Sequence, residues 1–296
     1  MKAKDLAARH RVEDGEKFRL KDVDPADTAG VDVDKSDAKK LIKDCKKSLR
    51  KLQERLYAEN KSSVLMVLQA MDAGGKDSAI EHVMSGINPQ GCDVHSFKQP
   101  GPVELDHDFL WRHAISLPSR GRIGIFNRSH YEEVLVVRVN PSILEARDLP
   151  AKAFDDDFWE MRFEDIRAFE RHLANSRTAV LKVFLHISKE EQARRFLDRI
   201  DEADKNWKFS ASDIEVRERW DDYMRAYEDM IRKTARPHAP WYVVPANNKW
   251  YARMVISSVL TETLERLDPQ FPEVDGDFRS RMAEARKTLA RDAGKR

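Results

Sequence analysis

A single short stretch carries the most legible chemistry in this chain. Gln69-Ala70-Met71-Asp72-Ala73-Gly74-Gly75-Lys76-Asp77-Ser78 follows an apolar run, Ser63–Leu68, and precedes Ala79, Ile80, Val83 and Met84 at helical spacing. The order is strand, glycine turn, lysine, helix. Backbone N–H groups at a helix start surround phosphate oxygens where glycine permits the turn and a close approach. Ala73, Gly74, Gly75 and Ser78 lie where such a cradle would form, and Lys76 would neutralise a transferring phosphoryl group. The strict pattern G-x-x-x-x-G-K-[ST] is not met: Ala70 replaces its first glycine, and Asp77 stands where the metal-binding hydroxyl belongs. Asp72 and Asp77 flank Lys76 and would repel a bare phosphate, so they point to Mg²⁺ between carboxylates and phosphate. The bland alternative is an ordinary strand-to-helix turn with a solvated lysine.

A second stretch, Arg122-Ile-Gly-Ile-Phe126-Asn127-Arg128-Ser129-His130-Tyr131-Glu132-Glu133, is a short apolar run ending in polar groups. Asn127 stands where a neighbouring strand commonly delivers an acid to the metal. Its amide oxygen can coordinate, or hold a metal-bound water, without adding charge. Arg128 offers a planar fork of donors suited to bridging donor and acceptor phosphates; alone, it reads as a surface ion pair.

The rest of the chain has to bring these two stretches together. Short β-branched or aliphatic runs occur at Ser63–Leu68, Asp93–Phe97, Arg122–Phe126, Thr178–Ile187 and Trp241–Val244, each followed by a helical pattern. That alternation predicts an α/β fold, a three-layer α/β/α sandwich around a five-stranded parallel sheet, since a barrel needs about eight such units. From Asp37 to about Asn60, Leu41, Ile42, Cys45, Leu49, Leu52 and Leu56 recur at helical spacing, with Cys45 as a small core residue. The outer face carries Lys39, Lys40, Lys43, Lys46, Lys47, Arg50 and Lys51. A solvated face and a surface for a long anion both account for it.

Residues 1–36 read as a polar arm, 37–268 as the main body and 269–296 as a helical tail. Between the fourth and fifth strands lies a charged insertion, about 188–235, whose hairpin of helices reads as a lid or as a structural flap. Trp111, Trp207, Trp220, Trp241 and Trp250 read as core anchors rather than platforms for a base. His130 is a candidate phosphate contact.

Composition narrows the classes. The chain has 296 residues with 53 basic against 52 acidic side chains, so any polyanion has to be met by a local basic surface rather than a global field. Nucleic acid and membrane are therefore not expected partners. No apolar stretch approaches the ~20 residues a bilayer span needs, and the amino terminus lacks a signal-peptide core, which makes the cytoplasm the expected address. Two cysteines are too few for a disulfide framework.

Together these residues resemble the family-2 polyphosphate kinases, from Lys39 to Leu267. The pieces are QAMDAGGKDS (69–78), SFKQP (96–100), HDFLWRH (107–113), IFNRSHYEEVLVVRV (125–139), RFEDIRAFERHL (162–173), HISKEEQARRFLDRI (186–200), KNWKFS (205–210) and HAPWYVVPANNKWYAR (238–253). The resemblance implies a P-loop kinase-like fold with a helical lid, moving a phosphoryl group between inorganic polyphosphate and AMP or ADP with Mg²⁺. Asp72, Lys76 and Asp77 fall on the family's first motif, Asn127 and Arg128 on its second, and Arg195, Arg199, Lys205 and Lys208 on basic lid positions. Many members have Asp at the position of Asn127. The Asn-Arg-Ser-His-Tyr-Glu version looks like the branch accepting both AMP and ADP, with Glu132 or Glu133 as substitute metal ligands. Family habit suggests a homodimer or homotetramer. An ATP-dependent nucleoside monophosphate kinase and a non-catalytic nucleotide-binding regulator are the competing readings.

Overall fold

Every residue of Ser63–Ala70 is buried, as the apolar run requires of a strand covered on both faces. In the computed structural model, which describes residues 3–30, 35–145, 147, 149 and 155–294, this strand is the centre of the sheet. The strands are β1 (Arg11–Val12), β2 (Ser63–Ala70), β3 (Cys92–Ser96), β4 (Ile123–Asn127), β5 (Thr178–His186) and β6 (Trp241–Pro245). Their order is β1-β6-β5-β2-β4-β3. All five expected strands are present and parallel; β1 is an addition, pairing antiparallel with β6 at one edge.

This order dictates where a ligand can sit. The chain leaves β2 towards β3 on one side, then returns past β2 to build β5 and β6 on the other. Where the direction of winding reverses, the loops after neighbouring strands part and leave a crevice at the carboxyl edge. The residues just past β2, β4, β5 and β6 meet there.

Helices cover both faces. Lys35–Glu59 is one long helix, as its periodicity predicts, and buries Ile42, Cys45, Leu49 and Leu56. It packs on Lys249–Leu267, where Cys45 Sγ lies 3.9 Å from Ser258 Oγ. The polar arm is not loose over its described part. Ala3–Arg9 is a helix that buries Leu6 and Ala7 against Lys249–Leu267. His10 then shares a 2.8 Å hydrogen bond with Tyr251 and accepts one from Val243 N through its carbonyl oxygen. Residues 31–34 of the arm lie outside the described residues. On the opposite face, Asp156–Asn175 buries Phe158, Trp159, Phe163, Ile166 and Leu173.

The insertion is more divided than its periodicity suggests. Lys189–Asp201 and Ser212–Glu218 are helices, and Asn206–Lys208 is a single 3₁₀ turn between them. Trp220–Thr234 is a third helix, and it belongs to the core: Trp220, Tyr223, Tyr227, Met230 and Ile231 are buried. The stretch expected as a lid, about 188–235, thus includes a helix that packs into the core, and the part before it is 188–218. An apolar stripe at helical spacing is the same whether it faces a ligand or a sheet, so the pattern did not separate the two. The tail forms a helix at Gly276–Ala293 with no buried residue. No helix among the described residues is long and apolar enough to cross a membrane.

Candidate active site

The glycine turn has the form its sequence requires. Gly75 caps the helix Lys76–Met84 with φ 96°, a left-handed conformation that suits glycine. A Cβ on Gly74 would stand 2.5 Å from the Ala70 Cβ and 2.8 Å from the Met71 carbonyl oxygen, so only glycine fits. Ala73 also has positive φ, 60°, without glycine's freedom. Lys76 is buried, and its Nζ donates to the carbonyl oxygens of Ala70 (2.8 Å) and Met71 (3.4 Å). Burial, then the nearby Arg128 guanidinium, lowers its pKa to about 8, against the pull of Asp72, Glu132 and Asp77.

The register of β2 on β4 sets Leu68 beside Asn127, which brings the second stretch to the first. Arg128 follows with φ 63°, its amide donating to the Leu68 carbonyl oxygen at 3.1 Å. Its Nη2 donates to Asp72 Oδ1 at 2.6 Å, and its Nη1 is 3.5 Å from Glu132 Oε2. Glu132, first, and Asp72 raise the Arg128 pKa above its ordinary value. Asn127 Nδ2 donates to Asp77 Oδ1 at 2.6 Å. Glu133 is held away by Arg147, at 2.9 and 2.8 Å, so of the two candidate substitutes only Glu132 is in the site.

The lid cations divide. Arg195 is buried, and three of its nitrogens are committed: Nε to Glu191 Oε1 (2.8 Å), Nη1 to the Ala73 carbonyl (3.1 Å), and Nη2 to the Ala246 and Asn247 carbonyls (2.5 and 3.3 Å). Arg199 lies 3.6 Å from Asp213 and over the ring of Phe196. Lys205 pairs with Glu202, and Lys208 is exposed beside Trp207. Of these four cations, then, only Arg195 touches the glycine turn, and it does so through backbone. The joint 201–209 has too few apolar residues to turn its lysines inward.

Other assignments move as well. His130 is fully buried against Tyr131 and Phe169 and cannot meet phosphate. Trp220 and Trp241 are core residues, while Trp207 is 78% exposed. Beneath the Arg128 turn lies a buried ionic network. Lys182 Nζ donates to Glu170 Oε2 (2.6 Å), Tyr131 Oη (3.0 Å) and the Thr234 carbonyl (2.8 Å), and Tyr131 Oη donates to Glu170 Oε1 (2.6 Å). Sequence reasoning missed this pair, and it missed Gln192, Asp213 and Tyr227 near the turn. Burial, then Glu132 and Asp72, raises the Tyr227 pKa; burial, then Asp72, raises that of Asp213. An apolar-looking helix and an uncharged amide carry no signal of chemistry.

Among the described residues, no group of three or more His, Cys, Asp or Glu side chains is set to hold a metal ion. Mg²⁺ asks for less, since it is commonly held by one or two carboxylates, water and substrate phosphates. Asp72, with one oxygen outside the Arg128 contact, and Asp77, both acting on the charge of Lys76, fit that demand.

A glycine turn after the central strand, at the reversal of a parallel sheet, with lysine, arginine and two carboxylates converging on it, defines a P-loop kinase-like phosphotransferase. The family model of Polyphosphate kinase 2 (PPK2) matches residues 32–272, and the chain belongs to that family. It is 53% identical, over 81% of its length and 84% of the relative's, to an ADP-polyphosphate phosphotransferase of Rhodopseudomonas palustris. It is 46% identical, over 90% and 95%, to an AMP/ADP-polyphosphate phosphotransferase of Meiothermus ruber. The crystal structure of Polyphosphate Kinase 2 from Arthrobacter aurescens TC1 superposes with a TM-score of 0.87 at 39% identity, covering 95% of this chain and 96% of that one.

Proposed function

We propose that the protein transfers the terminal phosphoryl group of inorganic polyphosphate to AMP and ADP, giving ADP and ATP, reversibly. The observation that carries this is the convergence of Lys76, Arg128, Asp72 and Asp77 on one glycine turn. Phosphoryl transfer needs in-line placement and charge neutralisation more than covalent help. The N–H groups of Gly75 to Ser78 cradle phosphate oxygens, that of Gly74 being held by the Met71 carbonyl, and the Lys76 ammonium balances charge on the transferring group. Arg128, steered by Asp72 and Glu132, presents its fork to the same oxygens. Asp72 and Asp77, with Asn127 orienting Asp77, would hold Mg²⁺, which when bound neutralises phosphate charge. The outer lid, with Arg199, Lys205 and Lys208, covers the crevice and limits hydrolysis.

The names of the Rhodopseudomonas and Meiothermus relatives support polyphosphate as donor and AMP and ADP as acceptors. A reducing, cytoplasmic setting agrees with two free cysteines. A homodimer or homotetramer agrees with the exposed Phe278, Met282 and Leu289 along the tail helix, and light scattering checks it. The deciding assay is purified protein with ADP, polyphosphate and Mg²⁺ and no added ATP. ATP formation is expected, and its absence would overturn the proposal.

A further inference from the structure

The lid's first helix is fastened to the glycine turn by two side chains on the same face of the helix. Gln192 is fully buried, and its Nε2 donates to the Asp72 carbonyl oxygen at 2.9 Å. Its Oε1 accepts from Arg217 Nη1 at 3.1 Å, and the same nitrogen donates to the Lys189 carbonyl at 2.6 Å. Arginine only donates and a carbonyl only accepts, so the amide has one possible orientation. One turn later, Arg195 Nη1 donates to the next carbonyl, that of Ala73, at 3.1 Å, while its Nη2 grips Ala246 and Asn247. Asn247 in turn accepts the Ser188 amide at 2.9 Å where the lid helix begins.

Two consecutive carbonyls, of Asp72 and Ala73, are thus each held by a buried donor from the lid. The residue between them and the glycines, Ala73, has a φ of 60° that an L-residue avoids unless its surroundings enforce it. Without the two donors, both carbonyls lose buried partners and the positive φ loses its restraint. The Asp72 side chain, which holds Arg128, is carried on this same peptide.

We infer that Gln192 and Arg195 are positioning residues that hold the Asp72–Ala73 backbone in its working conformation, and that Arg217 extends this hold to the lid's outer helix. Arg195 therefore acts through the turn and not as a grip on the polyphosphate chain. The kinetic test rests on the proposed phosphoryl transfer; a second test does not.

The proteins to compare are the wild type, Gln192→Leu, Arg195→Leu and the charge-keeping Arg195→Lys. Turnover with ADP is measured using short and long polyphosphate. Each variant is expected to lose kcat by about 10²-fold, the scale of a displaced catalytic group. KM for polyphosphate is expected to stay within about twofold of wild type at both lengths, since neither side chain is itself a contact of the donor chain. A large rise in KM with kcat retained, above all if greater for the long chain, would make Arg195 a donor contact and overturn the inference. So would full activity in Arg195→Lys, which keeps charge but cannot span two carbonyl sites. The second readout is amide exchange at Gly74, whose N–H donates to the Met71 carbonyl at 2.9 Å. In Arg195→Lys it is expected to exchange about tenfold faster, with the global melting temperature near that of wild type. Unchanged exchange would overturn the inference. If the wild type forms no ATP from polyphosphate, the proposed function fails, and the exchange result still decides the role of Arg195.

Discussion

Asn127 Nδ2 and Asp77 Oδ1 stand 2.6 Å apart, which joins the last residue of β4 to the second residue of the phosphate-loop helix. A carboxylate only accepts, so the nitrogen end of the amide faces it, and this neutral join between the two motifs stands beside the charged one from Arg128 to Asp72.

Replacing that donor by an acid puts two carboxylates in contact, where they do not both ionise freely. Asn127→Asp is expected to lower the melting temperature at pH 8 in metal-free buffer by about 2–4 °C, and to regain it when Mg²⁺ is added. Thermal melts with and without the ion check this. A variant indifferent to Mg²⁺ would mean that no cation lies between these groups.

Lys76 ties activity and stability to pH with opposite signs. Its pKa in the folded protein is about 8, against an ordinary 10.5, because of burial first and Arg128 second. The charged form is the useful one, so kcat/KM is expected to fall as pH rises through about 8, as free-enzyme profiles report. The unfolded chain binds more protons between about 8 and 10.5, so this lysine's cost to stability is full below pH 8 and is relieved across that window. Rate profiles and urea midpoints test the two slopes. Lys76→Ala should lose turnover by at least ~10²-fold and flatten the stability slope.

Glu170 and Lys182 are both essentially inaccessible and 2.6 Å apart. Burial alone would raise the Glu170 pKa, but Lys182 and His130 outweigh it and hold the carboxyl below its ordinary range. Glu170→Leu or Lys182→Met alone strands a buried charge and is expected to cost about 3–5 kcal/mol. The double variant should recover a large part of that loss. A urea double-mutant cycle showing additive losses would refute the coupling.

Leu6 tests whether the amino-terminal helix is part of the body. It is wholly buried, so Leu6→Ala is expected to cost about 3 kcal/mol in urea unfolding while leaving kcat unchanged. A loss below about 1 kcal/mol would indicate a helix only loosely applied to Lys249–Leu267.

What could be read from the sequence follows from how local each signal is. The run Ser63–Leu68 and the turn after it were legible because burial on both faces demands a nearly unbroken apolar run and the turn demands glycine. Arg11–Val12 was not: two residues show no alternation, and their pairing comes from the open edge of β6. Trp220–Thr234 showed its apolar stripe but not what the stripe faces. Arg195 has the right charge for a phosphate, and charge alone does not show that its guanidinium also meets backbone carbonyls that only the folded chain brings near. Gln192 could not have been singled out, because an amide announces neither charge nor nucleophile.

The outer lid is rooted at both feet, at Ser188 through Asn247 and at Trp220 in the core. Its first helix is also tied along its length, by Gln192 to the Asp72 carbonyl and by Arg195 to that of Ala73. A strip pinned at both ends and along one limb does not swing as a single flap, so its freedom is left to the polar joint beyond that limb.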